Sequence, residues 1–418
     1  MSITKISRAL LLCTVMLAVQ SAAAPMRPVE TLKIGVSGPF SGGSSPMGES
    51  MRNGIRIAVE EINSVGGVAG RKIELIERDD EAKPAVGARI AEEFIQRKVV
   101  AAIGIVNTGV GLASIDAYQN AKIPLLIAVS TGTVLTKKYA PPAAPENYIF
   151  RVAPTLDLEA KTLSADIKRR KLERVAILAD GTPYDAAGLK AFREQSSLAG
   201  LDLVAEDRFN VGDQDMTTQI ANAKSKGAQA LVIWGIGPEM AVIAKNKLAL
   251  GWKAPMLGSW TFSMANFVEG AGRAGEGALM PQTFIQEAGS VSRNAFLLSY
   301  MRGYNTAFIP SPMSAAQGYD GMHLLFSALR QANSTDGRKI KEALENLRYR
   351  YQGAITNYNK PFSPADHDAI TENMLLMARV SGGRIDYAYA EDAKDGLTVR
   401  TKQKNDLDGI KSTAFLSR

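Results

Sequence analysis

From residue 31 the chain alternates two patterns. Short apolar runs are followed by stretches in which apolar side chains recur every three or four positions. Leu32–Ser37, Lys72–Glu77, Val99–Ile105 and Ile123–Val129 read as strands. The helices between them are marked by Met51, Ile55, Ala58, Val59 and Ile62, then by Val86, Ile90, Phe94 and Ile95, then by Thr108–Asn120. The alternation restarts after residue 150. Helical segments at Leu156–Arg170, Tyr184–Ala199, Asp215–Lys226 and Glu239–Leu250 separate strands at Val175–Ala179, Leu203–Phe209, Leu231–Trp234 and Pro255–Leu257. Strands alternating with helices predict an α/β fold of mainly parallel sheets. Two successive sets predict two lobes, with the proline-bearing segment Ala140–Asn147 as the expected connection. The last part holds helices at Arg293–Tyr304, Ala315–Ala332 and Arg338–Arg348 and strands at Gly353–Thr356 and Met374–Val380. It makes no third set, so these elements must pack on the sheets already built. Beyond Ala390 the pattern gives way to a polar tail, expected to be loosely held.

The start of the chain has a different character. Lys5 and Arg8 precede an apolar run of about 11 residues, Ala9–Val19, and then small residues follow. This is the three-part pattern of a secretory leader, with cleavage expected after Ala23 and residues 1–23 removed. The run is short of the about 20 residues a membrane span needs. Removal takes Cys13, the single cysteine, so no disulfide is expected in the exported chain. It also takes Lys5 and Arg8, and the net charge falls from +7 to +5. The remaining 47 basic and 42 acidic residues form a mixed surface rather than a polybasic one, which argues against nucleic acid as a partner. Two histidines, His323 and His367, far apart in sequence, leave no acid–histidine–nucleophile set and no zinc set. No cofactor and no metal are expected.

Few residues carry candidate chemistry. Gly38–Gly48 is rich in glycine and serine but lacks the lysine of a phosphate loop, and Gly35 and Gly38 miss the dinucleotide spacing. It reads as a loop lining a cleft at a strand's carboxyl edge. Asn107 and Thr108 follow the third strand and open a helix, and Ser130 and Thr131 follow the fourth. Hydroxyls beside unpaired helix N–H groups can hold a carboxylate. Simple capping is the alternative. Tyr184 with Asp185 begins a second-lobe helix, and Trp234 and Trp260 fall near strand ends, Trp234 as core.

The order of these segments resembles the periplasmic solute-binding proteins of ABC transporters, in their branched-chain amino acid type. The resemblance runs from about residue 31 to 390. It rests on LKIGVSGPFSG (32–42), NGIRIAVEEINSVGGVAGRKIELIERDD (53–80), IPLLIAVSTGTVLT (123–136), DGTPYDAAG (180–188), GDQDMTTQIANAK (212–224) and SAAQGYDGMHLL (314–325). It implies a type I fold of two α/β lobes with three crossovers. Lobe one would be 31–150 plus 279–352, lobe two 151–278 plus 353–395, and 396–418 a tail. It implies a periplasmic monomer that is not an enzyme, captures a small carboxylate and closes its lobes. A permease and its ATPases would be the partners; a sensor of the same fold is the alternative. The ligand carboxylate would lie on Thr108, Ser130 and Thr131, with Asn107 beside them and Tyr184 on lobe two. Three positions depart from the family pattern. Trp260 stands where an acidic residue for the ligand ammonium is expected, Met47 where an aromatic is expected, and Ile236 near an expected tyrosine. An amino acid and an aromatic or aliphatic acid both remain open as ligands.

Overall fold

A computed structural model describes residues 30–396 and 400–402. The leader at 1–23 and most of the tail at 396–418 lie outside the described residues. The first sheet holds β1 (Leu32–Gly38), β2 (Ile73–Asp79), β3 (Ala101–Gly104), β4 (Leu125–Ile127) and β5 (Ile149–Arg151). All neighbours are parallel in the order β2-β1-β3-β4-β5. The second holds β6 (Arg174–Ala179), β7 (Asp202–Arg208), β8 (Ala230–Trp234), β9 (Met256–Gly258) and β10 (Leu279–Gln282). After a two-residue pair, β11 (Tyr351–Gln352) and β12 (Asn357–Tyr358), the chain adds β13 (Leu376–Ser381) and β14 (Arg384–Tyr387) to its edge. The order is β14-β13-β10-β9-β8-β6-β7, and only β13 and β14 run antiparallel. Central strands such as Ala230–Trp234 are buried at every residue because helices cover both faces. This is the type I two-lobed α/β architecture.

The helices that close the first lobe pack by close backbone approach. Ser45–Ser64 buries Met47, Met51, Ile55, Ala58, Val59 and Ile62 along one face. That face lies on Pro312–Ala332, and a Cβ on Gly54 would sit 2.1 Å from the Ala315 carbonyl oxygen. Only glycine admits that approach.

The crossings between lobes depart from the expected boundaries. Ala140–Asn147 is not a connection between lobes: the chain returns through it to β5, which pairs with β4. The first crossing follows Arg151. β10, expected in lobe one from residue 279, lies in the second sheet, because Leu279–Gln282 pairs with β13. Residues 353–375, expected in lobe two, pack with the first lobe through Ala354, Ile355, Tyr358, Phe362, Ala369, Ile370 and Met374. The cause is Asp320. Its buried carboxylate accepts the N–H groups of Ala354 (2.7 Å) and Ile355 (2.9 Å) and the hydroxyl of Tyr358 (3.1 Å). The segment Gly353–Thr356 is therefore the turn joining β11 and β12 rather than a strand.

The chain's end is also tied down where it is described. Ala390–Gly396 is helical. Lys402 donates to the Asp366 carboxylate and the Asp368 carbonyl, each at 2.7 Å.

Candidate functional site

In each sheet the strand order reverses once, between β1 and β3 in the first and between β6 and β8 in the second. Ligands of open α/β sheets bind outside the strand carboxyl ends at such points. The loops that leave these four strands face one another across a cavity of about 450 Å³. Ser41–Ser44, Asn107, Thr108 and Gly109 line it from the first lobe. Asp180, Pro183, Tyr184 and Ile236–Glu239 line it from the second. The loop after β3 is set by an uncommon backbone. Ile105, β-branched and buried, adopts φ +61°, with its N–H on the Ser37 carbonyl and its carbonyl accepting the Ser130 N–H. That kink aims Asn107 and Thr108 into the cleft.

The polar side chains expected here are not spent on capping. The helix Thr108–Ala121 has no side-chain cap at Asn107. Asn107 instead donates its amide to the Ser44 hydroxyl at 3.2 Å, and its Oδ1 is buried without a partner. Thr108 and Ser130, from neighbouring strand ends, share a hydrogen bond of 3.2 Å. Thr131 is buried and its hydroxyl has no partner. On the second lobe the helix Pro183–Leu198 is capped by Thr182, whose hydroxyl accepts the Asp185 N–H. Tyr184 is thereby free of that duty. It is 5% exposed, with its ring 6.3 Å from that of Trp234 and its hydroxyl unpartnered. Burial and the nearby Glu159 push the Tyr184 hydroxyl well above its ordinary pKa, and the Ser259 and Thr131 hydroxyls offset this in part.

Asn107, Thr108, Tyr184 and Ile236 line the open cavity; Met47, Ser130, Thr131 and Trp260 do not. Met47 and Trp260 belong to the apolar cluster that fills the first lobe. Trp260 follows β9 in the short turn Trp260–Ser263, 3% exposed, with its indole N–H unpartnered. Its backbone N–H donates to Glu159 at 3.3 Å. Trp234 is core, between Tyr184 and Phe192. Neither histidine is at the site. His323 packs against Tyr319 and Tyr351 and contacts Glu61, and His367 is buried, stacked on Phe150 with a ring nitrogen 2.9 Å from the Ile149 carbonyl oxygen.

Two buried polar residues outside the cavity lining were not picked out from the sequence. Glu159 lies in the first turn of Leu156–Arg169, fully buried, with one carboxylate oxygen unpartnered. Burial pushes its carboxyl up to about 8, against the Trp260 N–H, the Thr131 hydroxyl and Arg151, which favour the charged form. Gln317, on Pro312–Ala332, is fully buried with both amide atoms unpartnered. The signal for both was a polar residue on an apolar helical stripe. Glu159 shares its face with Leu156, Leu163 and Ile167, and Gln317 shares its face with Met313 and Leu324.

The family model of the periplasmic binding proteins matches residues 31–384. The chain belongs to the periplasmic binding protein family, in its branched-chain amino acid type. A leucine-, isoleucine-, valine-, threonine- and alanine-binding protein of Pseudomonas aeruginosa is 24% identical over 342 residues, covering 79% of this chain and 88% of that protein. A Leu/Ile/Val-binding protein homolog of Brucella abortus is 27% identical over 319 residues, 75% of this chain and 82% of that one. Among solved structures, a type 1 periplasmic binding protein of Bordetella pertussis superposes with TM-score 0.77 at 27% identity, covering 86% of this chain and 99% of that one. A solute-binding protein of an ABC transporter from R. palustris, in complex with 4-hydroxybenzoate, shares the fold with TM-score 0.74 at 21% identity, over 86% and 95% of the two chains. Periplasmic binding proteins are solute binders and not enzymes, and the family is periplasmic. Among the described residues no helix is long and apolar enough to cross a membrane.

Proposed function

We propose that this periplasmic binding protein captures a small carboxylate ligand between its lobes and presents the closed form to an ABC permease and its ATPases. The observation that carries this reading is the set of hydroxyls at two adjacent strand ends, Thr108, Ser130 and Thr131. They are buried, unused for capping, and in the case of Thr131 unpartnered. Buried polar groups are ordinarily hydrogen-bonded, so the orphan hydroxyl of Thr131, next to the Ser130 that bonds the cavity-lining Thr108, marks a place for a ligand atom. Asn107 and the start of Thr108–Ala121 add a second donor set with unpaired N–H groups, favourable to a carboxylate. Tyr184 and Ile236 approach from the opposite lobe. A ligand touching both sides favours the closed state, because it shifts the equilibrium only through contacts that the open state lacks. The three crossings act as the hinge. The ligands named for the relatives, branched-chain amino acids and a hydroxybenzoate, are both small carboxylates.

Mass spectrometry of the ligand released on denaturing natively purified protein tests this directly. The expected product is a small carboxylate. A thermal-shift panel follows, since a ligand at about 100 times its Kd adds about 2.7 kcal/mol of stability. No carboxylate in the extract and no shift with any carboxylate would remove the reading.

A further inference from the structure

After its third crossing the chain ties the two lobes together once more. The helix Ala390–Gly396 belongs to lobe two: Glu391 pairs with Arg169, and Ala393 packs on the second lobe's apolar cluster. Arg400–Lys402 lies instead on the lobe-one segment 353–375. The Arg400 carbonyl accepts the Thr356 hydroxyl, and the Thr401 carbonyl accepts the Asn373 amide at 2.8 Å. Lys402 goes deepest, its side chain 6% exposed. Its ammonium donates to the Asp366 carboxylate and the Asp368 carbonyl, each at 2.7 Å, and to the Pro361 carbonyl at 3.0 Å. An ammonium has three N–H groups, so each has its acceptor. Lysine is almost never buried unless it is paired in this way. Arg400 sits between the two anchors. Its Nη2 is 3.3 Å from Asp392 of the lobe-two helix, and its Nη1 donates to the carbonyls of Asn373 (3.2 Å) and Leu375 (3.4 Å). Leu375 is the last residue before β13, where the chain enters the second sheet. One guanidinium therefore holds both sides of the third crossing.

The lobes are together in this arrangement. Asn266 of lobe two donates to the Gly43 carbonyl of lobe one at 3.2 Å, and a Cβ on Gly109 would lie 3.3 Å from Pro183. We propose that Arg400–Lys402, with the helix before it, is a strap across the hinge that favours the closed form and so raises ligand affinity. This rests on lobe closure as the means of capture. A contact shifts an equilibrium only by what it gains in one state over the other. Rotation at Leu375 moves Asp392 with lobe two, while Lys402 stays with lobe one. Arg400, between them, keeps both sets of partners only near the closed angle. Loss of the strap lowers the closed fraction, and apparent affinity falls with it.

The test reads the distance between the lobes. Cys13 is the single cysteine and lies in the expected leader, so two introduced cysteines can be labelled selectively. Leu112→Cys and Leu198→Cys put spin labels at exposed positions of Thr108–Ala121 and Pro183–Leu198, the helices that meet across the cleft. Pulsed electron paramagnetic resonance on the unliganded chain gives the distance distribution. Lys402→Met and Arg400→Gln should each shift it to longer values. Calorimetry on the unlabelled variants, with L-leucine and 4-hydroxybenzoate as probes, should show about fivefold weaker binding of whichever probe binds. An unchanged distribution in both variants, or unchanged affinity for a probe that binds, would overturn the proposal. So would a shorter distance or tighter binding. The distance needs no ligand, so failure of both probes to bind bears on the carboxylate reading alone. If Lys402→Met does not fold, Arg400→Gln, which leaves the buried ammonium in place, decides.

Discussion

Eight positions apart in sequence, Arg151 and Glu159 sit at either end of the first crossing, and they treat buried charge in opposite ways. Arg151 is fully buried and fully satisfied. Its Nε and Nη2 donate to Asp368 at 2.9 and 2.7 Å, its Nη1 to the Gly132 carbonyl at 2.7 Å, and Nη2 also to Thr136 at 2.9 Å. Lys137 reaches the other oxygen of Asp368 at 3.0 Å. Burial opposes ionisation of Asp368, but Arg151 and Lys137 outweigh it and hold the carboxyl well below the usual range. This cluster locks β5 to the returning segment of the first lobe that carries Asp368, where Arg151 and Asp368 form a backbone bridge. Glu159 is equally buried, but there burial outweighs the groups that favour its charge and pushes the carboxyl up to about 8, and one oxygen has no hydrogen-bond partner. The difference teaches how to separate structure from function in this protein. A closed network stabilises the fold and needs nothing more, and an open one waits for a partner from outside.

The largest expected effect breaks the closed side. Asp368→Ala leaves Arg151 buried without its carboxylate and should cost about 3–5 kcal/mol in denaturant unfolding. A loss below about 1 kcal/mol would mean that the cluster is not what holds the Asp368 segment to β5. Next, on the open side, Thr131→Ala should weaken ligand affinity by about 1–3 kcal/mol in calorimetry while leaving the unliganded melting temperature nearly unchanged. Unchanged affinity would remove Thr131 from the site.

Glu159→Gln sharpens the contrast through pH. The carboxyl is at about 8 in the folded chain and near 4.3 when unfolded. Between those values the folded state binds the extra proton, so stability of the unliganded protein falls as pH rises. The glutamine variant lacks this loss, and its advantage in melting temperature over the parent should grow from pH 5 to pH 8. A constant difference would show that Glu159 is already paired. The smallest effect is expected at the surface, where Arg193 and Glu206 form an ion pair with side chains 54% and 28% exposed. Arg193→Ala should change stability by less than about 1 kcal/mol.

The sequence reading found most elements, because strands and helices announce themselves by local periodicity. It placed Thr108, Ser130, Thr131 and Tyr184 at strand carboxyl ends; Thr108 and Tyr184 line the cavity, and Ser130 lies behind it, bonded to Thr108. It misplaced the crossings, since Ala140–Asn147 looks like a linker by composition and only the pairing of β5 with β4 makes it a loop. It passed over Glu159 because an acidic residue in a helix's first turn ordinarily faces water and complements the dipole. His367, in the polar stretch Ser363–Asp368, has no local signal of burial, yet it is stacked on Phe150.

What the chain alone determined was the two-set alternation of strand and helix, a property of neighbours three or four positions apart. What only the tertiary structure decided was which buried charges are matched. Arg151 meets Asp368 across 217 positions, and Glu159 meets the Trp260 N–H across 101. The energy of a buried carboxylate depends on whether a cation lies within a few ångströms of it. No local pattern encodes that, so the fold was legible and the state of Glu159 was not.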